Sequence, residues 1–145
     1  MIHLEVERNH FIISTDKAKL DIPFIHQWLS QRSYWAQGRS VPAVQQSIEH
    51  SLCFGVYAGQ QQVGFARVVT DYTTFAWLAD VFIVETHQGQ GLGKWLIETI
   101  TTQPLLSDLR LFFLGTRDAH GLYRHYGFEP LSTPERWMAR VKLSA

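Results

Sequence analysis

The chain has 145 residues, 46% of them hydrophobic and 18% charged, enough apolar material for one packed core and a length that predicts a single domain over residues 1–145. Thirteen basic residues balance thirteen acidic ones, and this neutral total offers no field to draw nucleic acid or an anionic membrane. The N-terminus MIHLEVERNH lacks a signal-peptide pattern, no apolar run nears the roughly 20 residues of a membrane span, and the lone Cys53 has no internal disulfide partner, so a cytoplasmic protein is expected.

LEVERNHFIIST at 4–15 predicts a strand or a tight hairpin about Arg8 and Asn9. DIPFIHQWLSQ, with Asp21 as cap and a proline two residues on, predicts a helix, and PAVQQSIEHS from Pro42 predicts a second. SLCFGVYA and VGFARVVTD then form a hairpin with Gly59 in its turn, and FAWLADVFIV at 75–84 reads as a strand buried on both faces. From Leu92, the apolar positions Trp95, Leu96 and Ile100 make one helical stripe that must stop before Pro104. LRLFFLGT at 109–116 reads as a further buried strand. In DAHGLYRHYGF, Asp118 is placed as the N-cap of a short helix and Gly127 as its left-handed stop, and WMARV as a last strand. The order implies a mixed α/β fold with early antiparallel pairing and one crossover after the central strand.

The stretch QGQGLG at 88–93 sits between the apolar strand and the striped helix. Glycines there clear side chains from the backbone, so that N–H groups at a helix N-terminus can approach a phosphate. Two well-known phosphate loops fail by counting. GxxxxGK(S/T) needs Gly at position 88 and Ser or Thr at 95, where the chain has Gln88 and Trp95; GxGxxG from Gly89 needs Gly at 94, where it has Lys94. None of the seven histidines falls in an HExxH or Cys/His zinc spacing, so no metal is expected.

QxxGxG does fit. Gln88, Gly91 and Gly93 occupy the positions of the (Q/R)xxGx(G/A) signature, VFIV precedes it, and AHGLYRHYGF at 119–128 follows with Ala119, Tyr123 and Gly127 correctly spaced. On these residues the sequence resembles the GNAT superfamily of acetyl-CoA-dependent N-acetyltransferases. The resemblance implies a mixed, mostly antiparallel central sheet flanked by helices, with acetyl-CoA as cosubstrate. It places the pyrophosphate on the loop Gln88, Gly89, Gln90, Gly91, Leu92, Gly93 and Lys94, and the pantetheine arm along a splayed strand at Val81, Phe82 and Ile83. In this reading a backbone N–H near Phe82 or Ile83 polarises the thioester carbonyl. Thr116 stands where relatives often carry an Asn that touches the cofactor.

The resemblance also makes Tyr123 the general acid that protonates the departing thiolate. Relatives often hold the base just before Asp80, where this chain has Ala79, so Asp80 is a catalytic candidate with a bracing role as its alternative; strand alternation sets it on the face opposite Ala79. A water-relayed base stays open. His120 and Asp118 are read as first-turn and capping residues. The acceptor is expected to be a small-molecule amine, because a neutral chain has no acidic trough for a basic peptide. Trp28, Tyr34, Trp35 and Arg39 in QWLSQRSYWAQGRS are candidate pocket residues, although Trp28 and Trp35 could equally plug the core. Arg67, beside Phe65 on an apolar strand, is a further candidate, since a buried arginine wants an anionic partner. A homodimer is plausible for the family. The rival reading is a non-catalytic acyl-CoA sensor, which Ala79 favours.

Overall fold

A computed structural model describes residues 3–142. The chain begins with a hairpin of β1 (Glu5–Arg8) and β2 (Phe11–Ser14), whose turn residues Asn9 and His10 have φ of 51° and 70°. Positive φ at both turn positions matches the right-handed twist of paired strands, and Asn tolerates it better than most side chains. Helix α1 (Ile22–Arg32) starts where the Asp21 carboxylate accepts from the Phe24 N–H at 3.1 Å; α2 (Val41–Glu49) starts where Ser40 accepts from Ala43 at 3.2 Å. Pro23 and Pro42 lie in the first turns, where a missing N–H loses no helical bond.

Three antiparallel strands follow, β3 (Leu52–Ala58), β4 (Gln61–Thr70) and β5 (Phe75–Ile83), and α3 (Leu92–Thr101) crosses back to β6 (Leu111–Leu114), which lies parallel to β5. The sheet order is β1-β2-β3-β4-β5-β6. One face packs on α3 through Leu92, Trp95, Leu96, Ile97 and Ile100 against Phe54, Val56, Val63 and Leu78. The other packs on α1 and α2, where Ile25, Leu29, Val44 and Ile48 meet Cys53, Phe65 and Phe82. Fully buried Ile and Leu side chains such as these contribute about 1.5–3 kcal/mol each.

Leu78 and Phe82 have the same parity along β5 yet face opposite layers. A β-bulge accounts for this: Phe65 pairs with Phe82 and Arg67 with Ala79, so Ala66 alone opposes Asp80 and Val81, and Asp80 takes φ of 55°. The simple alternation expected for Asp80 therefore breaks where it mattered most.

Three other expectations are corrected. The strand read at 109–116 shrinks to β6, a half-buried edge of four residues rather than a fully buried strand. The short helix α4 (His120–Arg124) is not capped by Asp118; the Thr116 hydroxyl accepts from the Ala119 N–H at 3.1 Å, while Asp118 is exposed beside Arg117. No strand forms at WMARV, because a turn at Pro134–Arg136 lays Trp137 flat on Phe113, with ring centres 5.2 Å apart, and keeps its backbone out of the ladder. Gly127 has the left-handed φ expected of a helix stop, 91°.

Candidate active site

The QGQGLG stretch joins the end of β5 to α3. Gly89 and Gly91 hold φ of 81° and 82°, and Gly91 is the N-cap of α3. An L side chain at such a φ is strained by roughly 1–2 kcal/mol. A Cβ added at Gly89, Gly91 or Gly93 would meet nothing within 4 Å, so the loop presents bare backbone to open space. Among the described residues, the N–H groups of 89–94 have no protein acceptor; the first return bond of α3 comes from Trp95 to the Gly91 carbonyl at 3.0 Å. Unpaired N–H groups at the positive end of a helix dipole form an anion cradle. The side chains in the loop act differently: Leu92 is buried in the core, Lys94 is exposed, and the Gln88 amide donates to the Ile83 carbonyl at 2.9 Å, tying the loop to the strand end.

β5 and β6 separate before the chain reaches this loop. Their pairing runs only from Phe75↔Leu111 to Leu78↔Leu114, while β5 continues to Ile83. The Val84 N–H bonds the Val63 carbonyl at 2.9 Å. Antiparallel alternation then turns Phe82 toward β4 as well and leaves Val81 and Ile83 directed into the gap. Of the two N–H groups considered for the thioester, only that of Ile83 thus faces the gap. The Phe82 ring is held elsewhere, stacked on Trp28 with centres 4.1 Å apart.

A cleft of about 530 Å³ occupies the gap, with residues 77–81 on one wall and 114–119 with Tyr123 on the other. Tyr34, Trp35 and Arg39 close it from the α1–α2 connector. The connector is fixed in two places. The Arg117 N–H donates to the Tyr34 hydroxyl at 3.0 Å, and Asp80 receives Trp35 Nε1 at 2.9 Å on Oδ1, with Arg39 Nη1 at 2.8 Å and Arg67 Nε at 2.9 Å on Oδ2. Burial of the Asp80 carboxyl opposes its ionisation, but Arg67 and Arg39 outweigh this and hold it below the ordinary carboxylate range. Asp80 is an anion held by three donors, which take three of the roughly four lone-pair sites of a carboxylate. The two arginines on Oδ2 lower its basicity, which favours the bracing alternative over proton abstraction.

Tyr123 lines the cleft, and burial, followed by the nearby Tyr34, pushes its phenol up to about 12. It stays protonated at neutral pH. Thr116 also lines the cleft, although its hydroxyl is engaged by the cap of α4. Two pocket candidates are displaced. Trp28 lies away from the cleft, its indole N–H donating to Glu85 at 2.8 Å; Arg67 is buried with Asp80 and Ser51 as its partners, so its anion is internal. Sequence reading missed Trp77, 40% exposed on the cleft wall of a strand taken as buried on both faces, and Arg117, whose guanidinium lies 3.9 Å from the Tyr34 ring centre. Strict alternation with the buried Ala76 and Leu78 is the signal that could have found Trp77.

A family model described as an acetyltransferase (GNAT) domain matches residues 49–130, more than half of the chain. The chain belongs to the GNAT family. This GNAT protein is similar to a GNAT-family structure from Xanthomonas campestris pv. campestris at 46% identity and a TM-score of 0.90, over 94% of this chain and 96% of that one. A GNAT acetyltransferase from Elizabethkingia anophelis, determined with acetyl-CoA bound, shares the fold at 18% identity and a TM-score of 0.62, over 84% and 78%. The Gibberella zeae protein named "Putative acetyltransferase FG08082" is 31% identical over 112 residues, 64% of this chain and 63% of its own length. The chain thus spans less than two-thirds of that curated relative.

Proposed function

We propose that this GNAT protein transfers an acetyl group from acetyl-CoA to the primary amine of a small molecule. The observation that carries the reading is the row of unpaired N–H groups at 89–94, in the loop that follows β5 beyond the point where its pairing with β6 ends. The pyrophosphate takes the cradle, and the pantetheine arm lies along Val81 and Ile83, whose backbone groups face the gap. The acetyl-CoA held by the Elizabethkingia anophelis relative supports the cosubstrate.

A neutral amine attacks the thioester carbonyl, the N–C bond forms, and the C–S bond breaks. The amine's proton leaves through water, since Arg67 and Arg39 lower the basicity of Asp80 and Ala79 carries no base. The Tyr123 phenol protonates the thiolate. A phenol near 12 is a weak donor to a thiolate of ordinary basicity, about 8.5, but the burial that raises the phenol raises a thiol in the same cleft and narrows the gap. A positioned acid of this kind contributes roughly 10²–10⁴-fold.

Calorimetric titration with acetyl-CoA, coenzyme A, ATP and NAD tests the reading. Acetyl-CoA and coenzyme A are expected to bind, ATP and NAD to bind at least tenfold more weakly, and Gly91→Glu to abolish coenzyme binding by placing a carboxylate in the cradle. Failure of both coenzymes to bind the wild-type protein refutes it.

A further inference from the structure

Asp80 offers one negative charge to two guanidinium groups, and both donate to the same oxygen, Oδ2. The surplus positive charge emerges at Arg39. Arg67 is 9% exposed and directs Nη1 to Ser51 at 3.2 Å, whereas Arg39 is 24% exposed and lines the cleft. Of the five N–H donors of the Arg39 guanidinium, one is used by Asp80, and the others have no acceptor among the described residues. A half-buried cation with spare planar donors is stabilised by an anion, best a carboxylate that takes two parallel bonds.

Beside Arg39 the cleft has an aromatic wall. Tyr34, Trp35 and Trp77 are 45%, 39% and 40% exposed, a costly amount of apolar surface to leave wet at one place. Each ring is already fixed: Trp35 by Asp80, Tyr34 by Arg117, and Trp77 by the Arg67 guanidinium 5.7 Å from its ring centre. Tyr34 and Trp35 stand edge to face, 83° apart, and Arg117 lies over Tyr34, so these rings, held before binding, offer an aromatic guest faces and edges without an ordering cost. The remaining cleft charges, Arg117 and Asp118, pair with each other at 3.5 Å, so a polycationic amine meets net positive charge.

We propose that the acceptor is a primary amine with a flat aromatic body and a single carboxylate, its ring on the Tyr34, Trp35 and Trp77 wall and its carboxylate on Arg39. This rests on the acyl-transfer reading and names its acceptor class; the transfer step is the one already written.

The test is calorimetric titration of the full chain, saturated with coenzyme A, with tryptophan, tyrosine, tryptamine, leucine and spermidine. Tryptophan or tyrosine is expected to bind at least tenfold more tightly than tryptamine, which lacks the carboxylate, and leucine, which lacks the ring. Arg39→Gln is expected to bring the tryptophan-to-tryptamine ratio near one with coenzyme affinity within twofold of wild type. Trp77→Leu, which leaves the Asp80 hydrogen bonds intact, removes the advantage over leucine and serves as the check if Arg39→Gln fails to fold. Tightest binding by tryptamine or spermidine, no binding by any of the five, or a carboxylate preference that survives Arg39→Gln overturns the proposal. If coenzyme A does not bind, the acyl-transfer reading alone fails, and the same panel titrated into the free protein decides the acceptor assignment.

Discussion

Replacing Asp80 with Asn keeps the side chain's shape and its tolerance of a left-handed backbone, and removes the charge that two arginines and an indole share. The carboxylate side chain is 2% exposed and Arg67 is 9% exposed, so Arg67 is left as a buried cation without its anion. Removing one member of such a buried set costs about 3–5 kcal/mol, and the lower end applies because Arg39 remains partly in water. For a chain of this length a loss of ~3 kcal/mol lowers Tm by roughly 10 °C. The pH dependence has a definite sign. The folded carboxyl titrates below its unfolded value of about 3.9, so its contribution is fully present above that value and is lost as pH falls through the folded one. Urea unfolding of wild type and Asp80→Asn from pH 3 to pH 8 is expected to give a constant gap above about pH 5 that begins to narrow as pH falls below about 4. Asp80→Ala, which also loses the left-handed tolerance, falls about 1 kcal/mol lower still. A gap under 1 kcal/mol at pH 7, or one that does not change with acid, refutes a closed charge network at Asp80.

Tyr123→Phe is expected to lower kcat about 100-fold with KM for acetyl-CoA within twofold, measured by thiol release, and the wild-type rate should show no loss of its proton donor below about pH 11. Full activity of the variant at every pH removes Tyr123 from the mechanism. Burial pushes the Cys53 thiol up to about 12, so at pH 8 a disulfide reagent should modify the native chain at least ~1,000-fold more slowly than the urea-unfolded chain. Rapid native labelling would mean that β3 opens readily beside α2.

What the sequence determined by itself was local and periodic. The cap at Asp21, the stripe of α3 and the glycine loop are each written in a few neighbouring residues, because propensity, capping and backbone freedom act over one or two turns of chain; the strand-or-hairpin alternative about Arg8 and Asn9 resolved to a hairpin turning at Asn9 and His10. The tertiary structure decided whatever depended on a partner distant in sequence. Asp80 became a brace because a bulge on β5 turned it toward Arg67, Arg39 and Trp35, the last 45 residues away. Trp28 left the pocket because Phe82 and Glu85 offered its ring and its N–H a better contact. Trp77, paired opposite Phe113, reached the cleft because Ala76 and Leu78 turned into the core and left its ring on the other face beside Arg67. A one-residue insertion in a strand reverses the faces of every side chain beyond it, and no period read along the chain reveals where that reversal falls until the neighbouring strand fixes the register.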